Sequence, residues 1–266
     1  MSHEVQIDRH VSREHNLLLA HGVFGPLFAD YLEHSRRWVG DPDGLVGVMM
    51  RQGLAAVGLY LTCRPLGEET AWTLNLPEPP LNLFFVADSA RSRVVGRYFD
   101  RHVRSQGSSR LIVQRVQGDA KRHQSIIEVT GFDVLLILER FYIQSEQTSA
   151  RFFEYEGDEF LMLMALPGLD EQWLCDLDSP TARALVDAPT TRHIETRPIV
   201  FGCACDRDRL LDLSVSLFSR LPEDLFRGQP GVEILCPRCG RAYDIDRPSF
   251  ERRREEKQRS PDGEKA

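Results

Sequence analysis

The sequence predicts an α+β protein: an antiparallel sheet with packed helices over most of the chain, then a small C-terminal domain organised by four cysteines. Three observations predict it. From Trp72 onward, short β-patterned runs follow one another at spacings typical of a meander, with helical segments on either side. A polar stretch with three prolines, Asp176–Pro198, then interrupts the apolar pattern. Beyond it stand two close thiol pairs, Cys203-x-Cys205 and Cys236-x-x-Cys239.

The bulk numbers suit this division. A chain of 266 residues can hold one large domain and a small one, and 42% hydrophobic with 27% charged residues is ordinary for a soluble globular protein. A net charge of −7 opposes nonspecific binding to nucleic acid or anionic membranes, which calls for a basic face. The N-terminal stretch is polar and lacks the apolar run of a signal peptide, so the expected setting is cytoplasmic, where thiols stay reduced.

Taken in order, Asn16–Trp38 mixes an apolar start with helical spacing around Leu27, Phe28, Tyr31 and Leu32. Gly44–Cys63 is long enough to span a membrane, but Arg51 and Gln52 lie near its middle, where charge is costly in lipid. It reads as a buried core helix, with Asp41 and Asp43 as candidate caps and Gly47, Gly53 and Gly58 allowing close approach. The strands are expected in "WTLNL", "LNLFFVAD", "SRVVGRYF", "RLIVQRVQ" and "QSIIEVTG". Phe132–Gln147 returns to helix with Asp133 as cap, and "ARFFEYEGDEFLMLMALPG" reads as a hairpin turning at Gly157. Its nearly all-apolar second arm suits a central strand or one side of a peptide-binding groove. The domains expected are a core over residues 1–175, a linker over 176–198, the cysteine unit over 199–247 and a disordered charged tail over 248–266.

The four cysteines carry the chemistry. Zinc takes four tetrahedral ligands, and two close pairs supply two each without long-range ordering. In "CPRCG", Pro237 and Gly240 favour the tight turn that aims both sulfurs inward. The flanks "VEIL" and "RAYDID" alternate like hairpin strands, and a helix beginning after Asp206, with Leu210, Leu213 or Ser214, and Leu217 near one face, fills the gap between the pairs. So small a unit buries too little surface to fold alone, so metal is expected to supply the folding energy. Four thiolates close the coordination shell, which leaves zinc at Cys203, Cys205, Cys236 and Cys239 a structural or sensing role and no open position for hydrolysis. A redox dithiol of the thioredoxin kind would want its C-x-x-C at a helix start in a βαβ context, which is absent.

The order C-x-C, about thirty residues, C-x-x-C-G-x-x-Tyr resembles the redox-switch domain of the heat-shock protein 33 chaperones. "FYIQSEQTSARFF", Phe141–Phe153, resembles that family's aromatic–x–x–Ser-Glu-Gln segment, and "IIEVTG", "LNLFFVADSARSRVVGRYF" and "FLMLMALPG" resemble its flanking strands. The resemblance runs in order over roughly residues 17–246. It implies an ATP-independent holdase, folded and largely inactive when reduced and zinc-bound. Oxidation would form the disulfides Cys203–Cys205 and Cys236–Cys239, release zinc and expose apolar surface for unfolding proteins, with a possible homodimer in the oxidised state. Cys63 and Cys175 match nothing in this switch and read as ordinary cysteines, and Ser145, Glu146 and Gln147 are assigned no catalytic role.

Two departures stand out. The family's Arg-Gly pairs appear as His21-Gly22 and Val95-Gly96, and the stretch between Gln147 and Cys203 is short for the family, with little from which to build the helical cover of the binding surface. A constitutive holdase with purely structural zinc is therefore an open alternative. A zinc ribbon that binds nucleic acid is another: Arg238, Arg241 and Arg247 favour it, while Asp244, Asp246 and the net charge oppose it. No phosphate loop, Ser/His/Asp motif or paired carboxylates nominate an enzyme.

Overall fold

A computed structural model describes residues 3–259 apart from 102, 104–106 and 118–121. The chain divides into two compact units, Met1–Cys203 and Ala204–Ala266. The first is built on one ten-stranded sheet in the order β7-β6-β3-β4-β5-β10-β1-β2-β9-β8. Its strands are β1 (Glu4–Ser12), β2 (Leu17–Val23), β3 (Glu68–Leu76), β4 (Leu81–Asp88), β5 (Arg93–Phe99), β6 (Arg110–Gln117), β7 (His123–Glu128), β8 (Ala150–Tyr155), β9 (Glu159–Ala165) and β10 (Thr191–Phe201). All neighbours are antiparallel except β10 and β5, which meet in parallel through Val200–Arg93 and Phe201–Val94.

Helices α1 (Gly25–Trp38) and α2 (Gly44–Thr62) lie against this sheet, and every residue of α2 from Gln52 to Thr62 is buried. Its glycines are there for close approach: a Cβ on Gly53 would stand 2.1 Å from the Phe85 ring, and one on Gly58 2.8 Å from Ile199 Cδ1. The two polar residues in its middle have partners. Arg51 pairs with Asp158 and lies over the Phe28 ring, while Gln52 accepts from Val134 N at 3.1 Å and donates to Glu154. Asp43 is the cap residue of α2 but accepts no capping hydrogen bond, and Asp41 pairs instead with Arg36. Helix α3 (Val134–Phe141) is capped by Asp133, which accepts from Leu135 N and Leu136 N, and continues as a π-helical turn over Tyr142–Glu146. Within the Ser-Glu-Gln segment, Glu146 pins this turn to Arg115 at 3.0 Å and Arg64 at 3.8 Å, and Gln147 ends it at φ 53°.

Strand β9 explains its unbroken apolar run by being covered on both faces. Phe160 meets Phe24 and Phe28 edge-on, below α1 and α2. Leu161 and Leu163 face the other way and join Leu17, Leu19 and Phe153 in a second cluster. Over that floor lie two short helices, α4 (Glu171–Asp176) and α5 (Ser179–Ala184), which contribute Leu174 and Ala182, while Leu177, Leu185 and Val186 come from the residues that follow them. Each helix is started by an aspartate: Asp170 accepts from Trp173 N at 3.1 Å and Asp178 from Thr181 N at 2.9 Å.

Three expectations are corrected here. The segment 176–198 is no linker, because α5 closes over the sheet and β10 pairs along β1 from Ser12↔Thr191 to Glu4↔Val200. β structure, expected from Trp72 onward, begins earlier: the N-terminal polar stretch contains β1, whose Val5 and Ile7 are buried, and the apolar start of Asn16–Trp38 is β2, ahead of α1. Lastly, the charged stretch after Asp246 forms helix α8 (Arg247–Arg259); the remainder of the expected tail, 260–266, lies outside the described residues.

The second unit is small. Helices α6 (Arg207–Phe218) and α7 (Pro222–Phe226) precede a hairpin of β11 (Gly231–Leu235) and β12 (Ala242–Asp246), and α8 closes it. Leu211, Val215, Phe226, Ile245 and Phe250 form its core, with Phe226 and Phe250 edge-to-face at 5.3 Å. The face of α6 that turns inward carries Leu210, Leu211, Ser214 and Val215; Leu213 and Leu217, expected there, are exposed.

Candidate metal centre

The first thiol pair lies in the irregular stretch between β10 and α6, and the second sits on the turn joining β11 to β12. That turn is held by its own backbone: Cys236 N donates to Arg241 O at 2.8 Å, and Gly240 N donates back to Cys236 O at 2.9 Å. Gly240 adopts φ +80°, a conformation glycine takes without strain, as its place after the C-x-x-C pair predicts. The first pair is fixed from its C-terminal side, where Asp206 accepts from Arg209 N at 2.8 Å and Arg209 reaches back to Ala204 O. Arg207 then ties the start of α6 to Asp246 at 2.6 Å and to Asp244 O at 3.1 Å.

These local devices bring all four predicted cysteines together. The Sγ atoms of Cys203, Cys205, Cys236 and Cys239 lie within 4.8 Å of one another, with Cys205 and Cys239 at 3.4 Å. Cys236 and Cys239 are buried, and Cys203 and Cys205 half-buried. A tetrahedral zinc with bonds of about 2.3 Å sets sulfurs about 3.8 Å apart, so the observed spacing is within about an ångström of that arrangement. The donor set fits the metal: four soft sulfur ligands gathered in a half-buried to buried cluster.

Around the thiols stand Tyr243 and Arg241. The Tyr243 hydroxyl lies against Cys205, and its pKa is pushed up to about 12 by burial and by that hydrogen bond. Arg241 sits near Tyr243, Cys205 and Cys239 and brings positive charge beside the sulfurs, which favours their thiolate form. The two remaining cysteines are elsewhere: Cys63, whose thiol burial pushes up to about 11, ends α2, and Cys175 is exposed on α4. The sequence reading missed Tyr243 as a neighbour of Cys205, although hairpin alternation places it on the knuckle's side, four residues past Cys239.

A wide mixed sheet with helices on its faces, followed by a small lobe with four clustered thiols, defines a two-part α+β protein whose cysteine cluster could hold a metal ion. Comparison with known proteins narrows the class. The family model described as "Hsp33 protein" matches residues 155–246, which include the whole centre. Proteins named 33 kDa chaperonin are similar: that of Edwardsiella ictaluri is 25% identical over 53% of this chain and 57% of its own length. Those of Nitrosococcus oceani and Pseudomonas syringae pv. tomato are 26% and 28% identical, over 58% and 53% of this chain and 61% and 55% of their own lengths. The matches thus span little more than half of each curated relative. The crystal structure of the 33 kDa chaperonin of Thermotoga maritima shares the fold at a TM-score of 0.69 and 15% identity, covering 97% of this chain and 99% of that one. At modest sequence identity, the chain is similar to the Hsp33 family over residues 155–246 and shares the fold of a 33 kDa chaperonin.

Proposed function

We propose that this chain is a zinc-binding, ATP-independent holdase, activated by oxidation of its metal-ligand cysteines and acting on unfolding proteins in the cytoplasm. The observation that carries it is the cluster of four thiols in a stretch that matches the Hsp33 family model. Cys203, Cys205, Cys236 and Cys239 would hold the ion, which when bound keeps the sulfurs as thiolates, the form that oxidants attack. Each close pair then gives two electrons to an oxidant such as hydrogen peroxide and forms one disulfide, while the peroxide takes up two protons and leaves as two waters. The paired sulfurs are lost as metal ligands, and with them the binding energy that helps fold so small a lobe.

The cover formed by α4 and α5 supports regulation over constitutive holding. Sequence reading expects too little material for such a cover, yet these helices hide Leu17, Leu19, Phe153, Leu161 and Leu163. An apolar face of this kind suits capture of unfolding chains once bared, and is unavailable while shut.

The test treats reduced protein with hydrogen peroxide under mild heat, following zinc with a chromogenic chelator and a thermally aggregating client by light scattering. The expected result is zinc release together with suppression of scattering. Suppression by the reduced form alone would overturn redox control, absence of stoichiometric metal would overturn the centre, and no suppression in either form would overturn the holdase.

A further inference from the structure

We infer that Arg151 is the clasp that holds the α4–α5 cover shut, an inference that rests on the holdase reading only for what the cover conceals. Arg151 lies on edge strand β8, its side chain 24% exposed. Its Nη1 donates to Leu174 O at 2.9 Å and to Cys175 O at 2.8 Å, in the last turn of α4, where Leu174 O otherwise takes a long bond from Leu177 N at 3.4 Å. Its Nε donates to Glu139 Oε1 on α3 at 3.2 Å, and the same oxygen accepts from Phe152 N at 2.9 Å. The guanidinium also stands 5.0 Å over the ring of Phe153, part of the apolar floor. One side chain therefore joins the helical core, the floor and the cover.

Other pins of the cover are weaker by kind or sit at its first residues, where Asn16 donates to Gly168 O at 3.1 Å. Tyr155 gives Ser179 O a single neutral hydrogen bond at 2.9 Å. Trp173 stacks on His15, with ring centroids 4.4 Å apart. Arg183 pairs with Glu159 at the rim while sharing itself with the exposed Asp187, an arrangement that contributes little in water. Arg151 instead makes charge-assisted bonds to the main chain, at the helix end where positive charge is favoured. With only six residues, α4 cannot sustain itself without such tertiary support. Loss of the guanidinium takes this donor from Cys175 O, and leaves Leu174 O with the long bond from Leu177 N and the half-buried Glu139 with the bond from Phe152 N.

The experiment compares full-length, reduced, zinc-loaded wild type with Arg151→Gln and Arg151→Lys by hydrogen exchange, bis-ANS fluorescence and client light scattering. In Arg151→Gln the α4 amides are expected to exchange at least about tenfold faster, with strands β3 to β6 unchanged and bis-ANS fluorescence raised without oxidation. Arg151→Lys, which keeps a charge but loses the fork, is expected to fall between, and it carries the test should the glutamine variant fail to fold. Wild-type exchange at α4 in the folded variants, or equal acceleration across β3 to β6, would overturn the clasp. Faster α4 exchange without any client suppression, reduced or oxidised, would support the clasp while sinking the holdase reading.

Discussion

The hydroxyl of Tyr243 lies 3.0 Å from the carbonyl oxygen of Cys205 and 3.3 Å from its sulfur. A rigid hairpin strand thus steadies the irregular loop that carries the first thiol pair. Groups that orient metal ligands in this way typically change metal affinity about 10–100-fold when removed. Tyr243→Phe is accordingly expected to hand zinc to a competing chelator at least about tenfold faster, with the far-ultraviolet circular dichroism of the loaded protein unchanged. Chelator competition followed at a single wavelength checks it, and equal rates would reduce Tyr243 to packing.

Phe250 is the one large apolar side chain that α8 buries, and it meets Phe226 in a core of five residues. Phe250→Ala should cost the small lobe about 3–5 kcal/mol. Because that core is so small, the loss should appear as weaker zinc retention on heating, measured by metal release against temperature. Melting of the large unit, followed separately by calorimetry, should be unaffected.

Gly53 has no room to grow. With Phe85 2.1 Å from the position a Cβ would take, Gly53→Ala must push apart α2 and β4. Overpacking of this sort costs about 1–3 kcal/mol or more, and outweighs the gain in helix propensity of about 1 kcal/mol. A lowered urea midpoint would confirm it, while a raised one would show that the helix can shift.

His10 makes the large unit sensitive to acid. Its Nδ1 is buried without a hydrogen-bond partner, and the His193 ring lies 5.3 Å away. Burial, then the charge of His193, holds its pKa below the ordinary value near 6.5, against the opposing pull of Asp8. The unfolded chain therefore takes up a proton before the folded one does, and stability falls as pH drops from about 6.5 toward the lowered folded value. Urea unfolding at pH 7.5 and 5.5 should show this loss, and His10→Gln should flatten it.

How much of this could be read from sequence depends on which residues carry the signal. Strands β4 and β6 coincide with the expected runs because each has a strongly apolar, turn-bounded pattern, and Asp133 and Asp206 cap their helices as their positions predict. The cysteine cluster was legible because each thiol pair is close in sequence, and two such pairs suit one tetrahedral metal. By contrast β10 is mostly polar and half-exposed, and only its pairing with β1 makes it a strand, a long-range fact that no local window contains. The same holds for α5, six residues long, whose stability comes from the floor beneath it. Helix α8 was hidden by its charges, though Asp246, Pro248 and Ser249 before a lone Phe250 form a start signal, realised as Ser249 N donating to Asp246.

The cover is also a loop with fixed ends. It leaves the sheet at β9 and rejoins it at β10, so that residues 166–190 stay anchored at both sides even when they lift away. Any visitor to the floor must therefore compete with a resident ligand whose effective concentration, set by a short tether, stands in the millimolar range. On the holdase reading, that rivalry would filter out weakly apolar segments, and the cover's own return would favour release.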